Sequence, residues 1–257
     1  MLVPRRAPRQ ANDAGHDVGN RGNHQAVREV TEPVILAGAI AAATPGTQGF
    51  DSDTTIVADT ARELCAAGFR FALRYLSRTE PQNPSDLSAA EARAILGAGL
   101  ALMAVQHCPR PGWAPSAALG RQYGLAAARN ATAIGLAPAS AGAGLGLSLW
   151  LDLEGVASWA SAADTIAYCN AWAGAVEAAG FLPGLYVGAN QPLSGDELYW
   201  RLRIRSYWKS ASIVPGIPYR GYQMVQALAP SPVGGVDIDR NVIMADNFGG
   251  LPKWLTS

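Results

Sequence analysis

Residues 147–155, Leu-Ser-Leu-Trp-Leu-Asp-Leu-Glu-Gly, constrain this chain more than any other stretch, because they alternate without a break. Side chains switch faces at every residue of a strand. Leu147, Leu149, Leu151 and Leu153 therefore share one face, and Ser148, Trp150, Asp152 and Glu154 the other. A half-buried surface strand alternates in the same way. The unusual part is that two acids fill the last polar positions before a glycine. In a barrel of parallel strands the leucines pack on surrounding helices, Trp150 faces the interior, and the acids stand at the C-terminal mouth, where such barrels keep their chemistry. Residues two apart on a strand are separated by roughly 6.6 Å, in the range of carboxyl pairs that act on one glycosidic bond.

The rest of the chain reads as a scaffold for that pair. From residue 46 onward short apolar runs alternate with Ala-rich helical runs. Strands are expected at 49–51, 69–76, 100–107, 147–154, 182–188, 204–208, 221–226 and 236–239, with helices at 55–67, 88–97, 116–136, 161–179 and 193–202. Ser88 and Glu91 have the spacing of a capping box, and Gly68 and Gly180 that of helix C-caps. Strands alternating with helices imply parallel pairing. The expected fold class is therefore α/β, a single (β/α)8 TIM barrel over residues 45–257, with some late helices short or missing. A doubly wound open sheet is the alternative, but it wants a Gly-rich phosphate loop after the first strand, and Gly49-Phe50-Asp51-Ser52-Asp53 is not one.

Residues 1–44 differ. Up to residue 32 the chain is polar and without periodicity, and is expected to be disordered or loosely packed. Residues 33–44 are apolar and small, too short to span a bilayer. They are either the apolar core of an export signal or a short segment packed on the outside or base of the barrel. The protein is thus expected either to be exported to the cell envelope or to stay in the cytoplasm, without stable membrane insertion.

A net charge of zero argues against a nucleic-acid partner. Three cysteines, Cys65, Cys108 and Cys169, with no Cys-x-x-Cys, read as small buried hydrophobes rather than a disulfide framework. Two of the three histidines lie in the leader, so a His-rich metal site is not expected, and neither is a cofactor. Oligomeric state is not legible from the sequence.

Acids recur at strand ends. Asp51 ends the first strand, Asp152 and Glu154 the fourth, and Asp237 and Asp239 lie on the eighth. In a closed barrel these ring one pocket. Asp51 alone could equally cap the following helix. Two inward acids at one strand end repel each other, which folds mostly tolerate for a site. Repulsion and burial raise one carboxyl pKa and make a proton donor at neutral pH, which suits glycoside cleavage. Tyr75, Tyr186, Tyr207, Trp208 and Tyr222 could stack on sugar rings at the same mouth or pack as ordinary core, and Arg74 and Lys209 could be salt-bridge partners of the acids.

In this order Gly-Phe-Asp51, Asp152-Leu-Glu154, Leu-Tyr186-Val, Tyr-Gln223 and Val-Asp237-Ile-Asp239 resemble the motifs of glycoside hydrolase family 25 lysozymes. The chain is more similar still to the glycoside-hydrolase-like barrels of domain of unknown function family 1906, over roughly residues 47–254. The resemblance implies a TIM barrel cutting the β-1,4 bond of peptidoglycan or a related polysaccharide. It implies Glu154 as general acid, Asp152 stabilising or orienting the 2-acetamido group, and Asp51 and Asp237 lining the subsite; with Glu154 and Asp152, Asp51 is expected to be catalytic. Asp239, Tyr186, Trp208, Gln223, Arg74 and Tyr75 complete the expected substrate contacts. Where the lysozyme motif has Trp before Gln and Tyr after it, this chain has Tyr222 and Met224. Where that motif has Asn two residues after the last Asp, it has Asp239.

Three functions are therefore expected to compete. One is a hydrolase of cell-wall-type polysaccharide, a second a glycan-binding barrel without turnover. The third is a metal-dependent hydrolase whose acids hold Mg²⁺ or Ca²⁺.

Overall fold

The computed structural model describes residues 35–137, 146–227 and 232–257. The expected leader up to residue 32 and the Gly/Ala linker at 139–145 lie outside the described residues. Ten strands form one sheet: β1 (Ala39–Ala42), β2 (Gln48–Ser52), β3 (Phe71–Leu76), β4 (Ala101–Gln106), β5 (Ser148–Leu153), β6 (Leu182–Val187), β7 (Ser206–Lys209), β8 (Met224–Ala227), β9 (Asp239–Ile243) and β10 (Lys253–Thr256). A β4–β5 pairing closes the eight strands β2 to β9 into a barrel. Five helices surround it: α1 (Ala58–Ala66), α2 (Ala89–Gly97), α3 (Ala117–Ala133), α4 (Ala162–Ala178) and α5 (Gly195–Arg201). The protein is a TIM-like α/β barrel with few helices, and among the described residues none lies between β7 and β8 or between β8 and β9.

The alternation of β5 sorts its side chains as expected. Leu149, Leu151 and Leu153 join the layer between strands and helices, whereas Trp150 joins Phe71, Leu73, Met103, Val105, Trp208, Met224 and Ile243 inside the barrel. The interior is a packed core, and the ring edges of Trp150 and Trp208 meet with centroids 6.0 Å apart. Outside, α3 lies close on α4 because Gly120 and Gly124, one turn apart, face the backbone of Tyr168 and Trp172. A Cβ on Gly124 would stand 2.6 Å from the Trp172 carbonyl oxygen.

One expectation about topology is corrected. All eight strands were expected to run parallel, but β9 is antiparallel to both its neighbours, β2 and β8. A parallel return needs a crossover, usually a helix, and the connection from β8 to β9, residues 228–238, carries no helix among the described residues. The strand also begins where the sequence suggested it would end, at Asp239. Because β9 runs the other way, its first residue arrives at the mouth, with Asp239 paired opposite Asp51. Residues 39–42 form strand β1, antiparallel to β10, which agrees with the reading of 33–44 as a segment packed on the barrel. Small apolar residues there read equally as signal or strand, and the pairing with Lys253–Thr256 is a long-range contact no local pattern announces. No helix among the described residues is long and apolar enough to cross a membrane.

Ser88 caps α2 by accepting a hydrogen bond from the Glu91 backbone N–H, as its spacing predicts. The Glu91 side chain does not complete the box. Its carboxylate is buried against Arg74, with Nε 2.5 Å away, and accepts the Ile56 backbone N–H at 2.7 Å. Arg74 also donates to the Ser52 carbonyl. It sits on the outer face of β3, wholly buried, so it is no substrate contact. The period of two decides this: Tyr75 points inward, and its neighbour cannot. Arg74 instead ties β3 to α2 and to the end of β2. Removing one partner of a buried pair strands the other charge and costs about 3–5 kcal/mol. We therefore expect Arg74→Ala to lower stability by that amount, read from denaturant unfolding. A variant that unfolds like the parent while losing glycan affinity would contradict this placement.

Candidate active site

Three strands deliver acids to one cavity. Asp51 comes from β2, Asp152 and Glu154 from the end of β5, and Asp239 from the start of β9. They line a cavity of about 630 Å³ together with Asp53, Asp237, Tyr75, His107 and Cys108. Asp51 and Asp152 are almost wholly buried, at 3% and 6% exposure, whereas Glu154 and Asp239 are half-buried and Asp237 is exposed. Gly188 makes room for Glu154, since a Cβ there would stand 2.4 Å from the glutamate Cβ.

Neutral donors hold Asp51. Its Oδ1 accepts from Asn241 Nδ2 at 2.6 Å and from Gln226 Nε2 at 3.1 Å, and the Tyr75 hydroxyl lies 3.4 Å from Oδ2. Each donor is fixed in turn. Trp208 Nε1 donates to Asn241 Oδ1 at 2.9 Å, and the Tyr186 hydroxyl donates to Gln226 Oε1 at 2.9 Å. Gln226 also reaches Asp239 Oδ2 at 3.3 Å, so one amide bridges two carboxylates. His107 stacks on Tyr75 with ring centroids 4.3 Å apart, and its Nε2 lies 3.0 Å from Asp86 Oδ1.

Burial sets the protonation of the cluster. It pushes Asp51 up to about 7, although the Asn241 and Gln226 bonds pull the other way and the charge of Asp239 adds to the rise. Asp152 is held well above the carboxylate range by burial first and by Glu154 second. Glu154 is raised by burial, against a lowering contact from Cys108, with Asp239 contributing further. Asp239 is raised by burial and by Asp53. Among the described residues, no lysine or arginine forms an ion pair with any of these acids. At neutral pH the mouth therefore retains protons, and Glu154 is not pinned by Lys209 or Arg74.

The structure brings together Asp51, Asp152, Glu154, Asp239, Tyr75 and Tyr186, and sets Asp237 on the rim. Three other expected contacts fall elsewhere. Trp208 is under the site, 1% exposed, and edge-on to Tyr186 at 4.5 Å, so it is floor and offers no face to a sugar. Gln223 lies just before β8, at the far end of the barrel, donating to Asp246 Oδ2 at 2.8 Å. Arg74 is behind the sheet. Tyr207 and Tyr222 also turn outward, to the Leu198 and Pro215 carbonyls. The mouth glutamine is Gln226, three residues on, because the inward positions of β8 are Met224 and Gln226. Asn241 stands two residues after Asp239, so the Asp-x-Asn spacing belongs to that pair and not to one begun at Asp237. Sequence reasoning missed Gln226, Asn241, His107 and Cys108. The last two follow β4 directly, and the strand-end rule applied to the acids would have found them.

The comparisons with known proteins give the family and the fold. Residues 62–242 match the model of the Rv2525c-like, glycoside hydrolase-like domain family. No curated protein matches the chain. Among solved structures the barrel is similar to the Tat-secreted protein Rv2525c of Mycobacterium tuberculosis in complex with L-tartrate, at 19% identity and TM-score 0.53, covering 78% of this chain and 96% of that one. It is similar to a family 25 glycosyl hydrolase from Bacillus anthracis, at 14% identity and TM-score 0.53, covering 79% and 91%. It is also similar to the bacterial lysozyme from Streptomyces coelicolor, at 19% identity and TM-score 0.50, covering 78% and 93%.

A carboxyl whose pKa is raised by folding makes the protein lose stability as pH climbs from the unfolded value to the folded one. For Asp51 that window runs from 3.8 to about 7, and the shift corresponds to about 4 kcal/mol. Asp51→Asn keeps an acceptor for Asn241 and Gln226 and removes the titration. Its melting temperature relative to the parent should rise steadily between pH 4 and pH 7, then level off. A difference that does not vary with pH would show that Asp51 titrates normally.

Proposed function

The chain belongs to the Rv2525c-like, glycoside hydrolase-like domain family, and from that premise we propose that it is a glycosidase acting on a bacterial cell-wall-type polysaccharide. The observation that carries this reading is a set of carboxyls that share one cavity, have their pKa values raised by burial, and are paired with no lysine or arginine among the described residues. Cleaving a glycosidic bond needs a proton for the leaving oxygen and negative charge beside the developing cationic ring. Glu154 is the half-exposed member of the central pair and is the general acid. Asp152 lies behind it, deeper and more fully protonated, and orients the substrate's 2-acetamido group. Asp51 and Asp239 supply negative charge as they ionise. Tyr75 and Tyr186 keep Asp51 and Gln226 in place at the edge where the sugar sits.

A polymer rather than a single sugar is favoured by the surroundings. A second cavity of about 510 Å³ adjoins the first through His107 and Cys108 and is lined by Arg78, Arg110, Asn83 and Tyr123. A chain crossing the acids can continue into it. The lysozyme neighbours support the cell-wall class of substrate. Such a substrate requires export, and a signal cleaved after Ala43 would take β1 out of the sheet, so the exported form keeps Ala39–Ala42.

Glu154→Gln keeps the side chain's volume and removes its transferable proton. We expect the release of reducing ends from peptidoglycan to fall about 10²- to 10⁴-fold, with glycan binding and melting temperature preserved. Asp152→Asn should also slow the reaction. A Glu154→Gln protein that cuts at the parental rate rules out the assignment.

A further inference from the structure

Cys108 follows β4, and Asp152 and Glu154 end the adjacent strand β5. The Cys108 sulfur, one oxygen of Asp152 and one oxygen of Glu154 all lie within 4.8 Å of one another. The sulfur is 3.8 Å from Glu154 Oε1. Asp152, 6% exposed, has a buried oxygen, Oδ1, with no hydrogen-bond partner. A buried acceptor left unpaired is costly, and glycoside cleavage gives this atom no partner in the resting protein. Cys108 is also unused by the proposed hydrolysis, yet it stands against both acids in the open cavity, half-buried.

We propose that Cys108, Asp152 and Glu154 form a binding site for one thiophilic divalent cation, of which Zn²⁺ is the physiological example. Tetrahedral Zn²⁺ takes sulfur at about 2.3 Å and carboxylate oxygen at about 2.0–2.2 Å, which sets ligand atoms about 3.5 Å apart. The three atoms reach that spacing through side-chain rotation alone, because they come from neighbouring strand ends. Three protein ligands leave a fourth position facing the cavity, open to water. The sulfur decides the metal. An all-oxygen set would suit Mg²⁺ or Ca²⁺, whereas a thiolate selects Zn²⁺ or Cd²⁺. This replaces the hard-cation expectation drawn from the acids alone.

Binding exchanges protons for the metal. The Cys108 thiol proton passes to solvent as the metal–sulfur bond forms. No lysine or arginine among the described residues is paired to either carboxylate, so the metal displaces protons and no side-chain cation. The site does not rest on the glycosidase reading; only one consequence does. With Glu154 holding a metal it has no proton to give, so the loaded barrel does not hydrolyse.

The test uses Cd²⁺ and Zn²⁺ alone, without glycan, on the full chain carrying Cys65→Ser, which removes the other half-buried thiol. Titration with Cd²⁺ should produce a thiolate-to-cadmium absorption band that saturates at one equivalent, and Zn²⁺ should displace it. Calorimetry in buffers of different ionisation enthalpy should show protons released. Adding Cys108→Ser should abolish the band. Asp152→Asn should weaken Zn²⁺ by at least about tenfold. Circular dichroism checks that both variants fold, and Glu154→Gln replaces either that does not. A band that survives Cys108→Ser, or no band at one equivalent on folded protein, overturns the proposal. Because nothing in this titration depends on turnover, it can fail while the glycosidase stands, and the reverse.

Discussion

The structure depends on how a barrel mouth can hold four carboxyls in one cavity, paired with no lysine or arginine among the described residues. Asp51, Asp152, Glu154 and Asp239 converge there, and the groups that touch them are amides, phenols and a thiol. Four ionised carboxylates buried so close would repel each other by several kcal/mol. A lysine or arginine would relieve this and would also fix the acids in their ionised form. Amide donors do something different: they stabilise a carboxylate moderately and leave it able to hold a proton. The result is a site in which repulsion is met by proton retention, which is what acid catalysis requires.

The chain's buried cation lies behind the strand, and that separation follows from the period of two. On β3 Tyr75 faces the acids and Arg74 faces the helices, where Glu91 meets it. A one-residue slip of that strand would put the guanidinium against Asp51 and the phenol against Glu91, ending both the acid site and the packing of α2. Register on β3 is therefore specified twice, by the apolar pattern and by charge. On β9 it is specified by Asn241, which must stand two residues after Asp239 to face Asp51 from the same side of the strand.

What the sequence made legible follows this logic. The alternation of β5 placed Trp150 inside and both acids at the mouth, and a leucine face packed on helices is what the layer arrangement shows. Helix α2 starts after the serine whose spacing announced it, and α4 starts after Ser161, where a helix was expected to begin. The direction of β9 was not legible, because it depends on whether a connection carries a crossover helix. It matters more than any single residue, since an antiparallel last strand brings its first residue, not its last, to the mouth. The same blindness to partners misplaced Gln223 for Gln226 and Trp208 as a stacking surface. A glutamine after a tyrosine and a tryptophan at a strand end look alike whether they face the cavity, the floor or the far rim. Only strand register separates these cases, and register here is fixed by pairings with β7 and β9.

The two uses of Glu154 are connected by protons. As an acid it works only while a proton sits on it, and as a ligand only when that proton is gone. Its own burial and the charge of Asp239 favour the protonated state. Raising the pH or adding a thiophilic metal both draw the proton off, but they leave different charge behind. High pH leaves mutually repelling carboxylates in a tight cavity. A metal leaves a neutralised cluster, in which Asp152 Oδ1 finally has a candidate partner. The deprotonated mouth is thus unstable alone and stable around a cation. The arrangement that raises the proton affinity of Glu154 is, for that reason, the arrangement that would make it a good place for a metal to arrive.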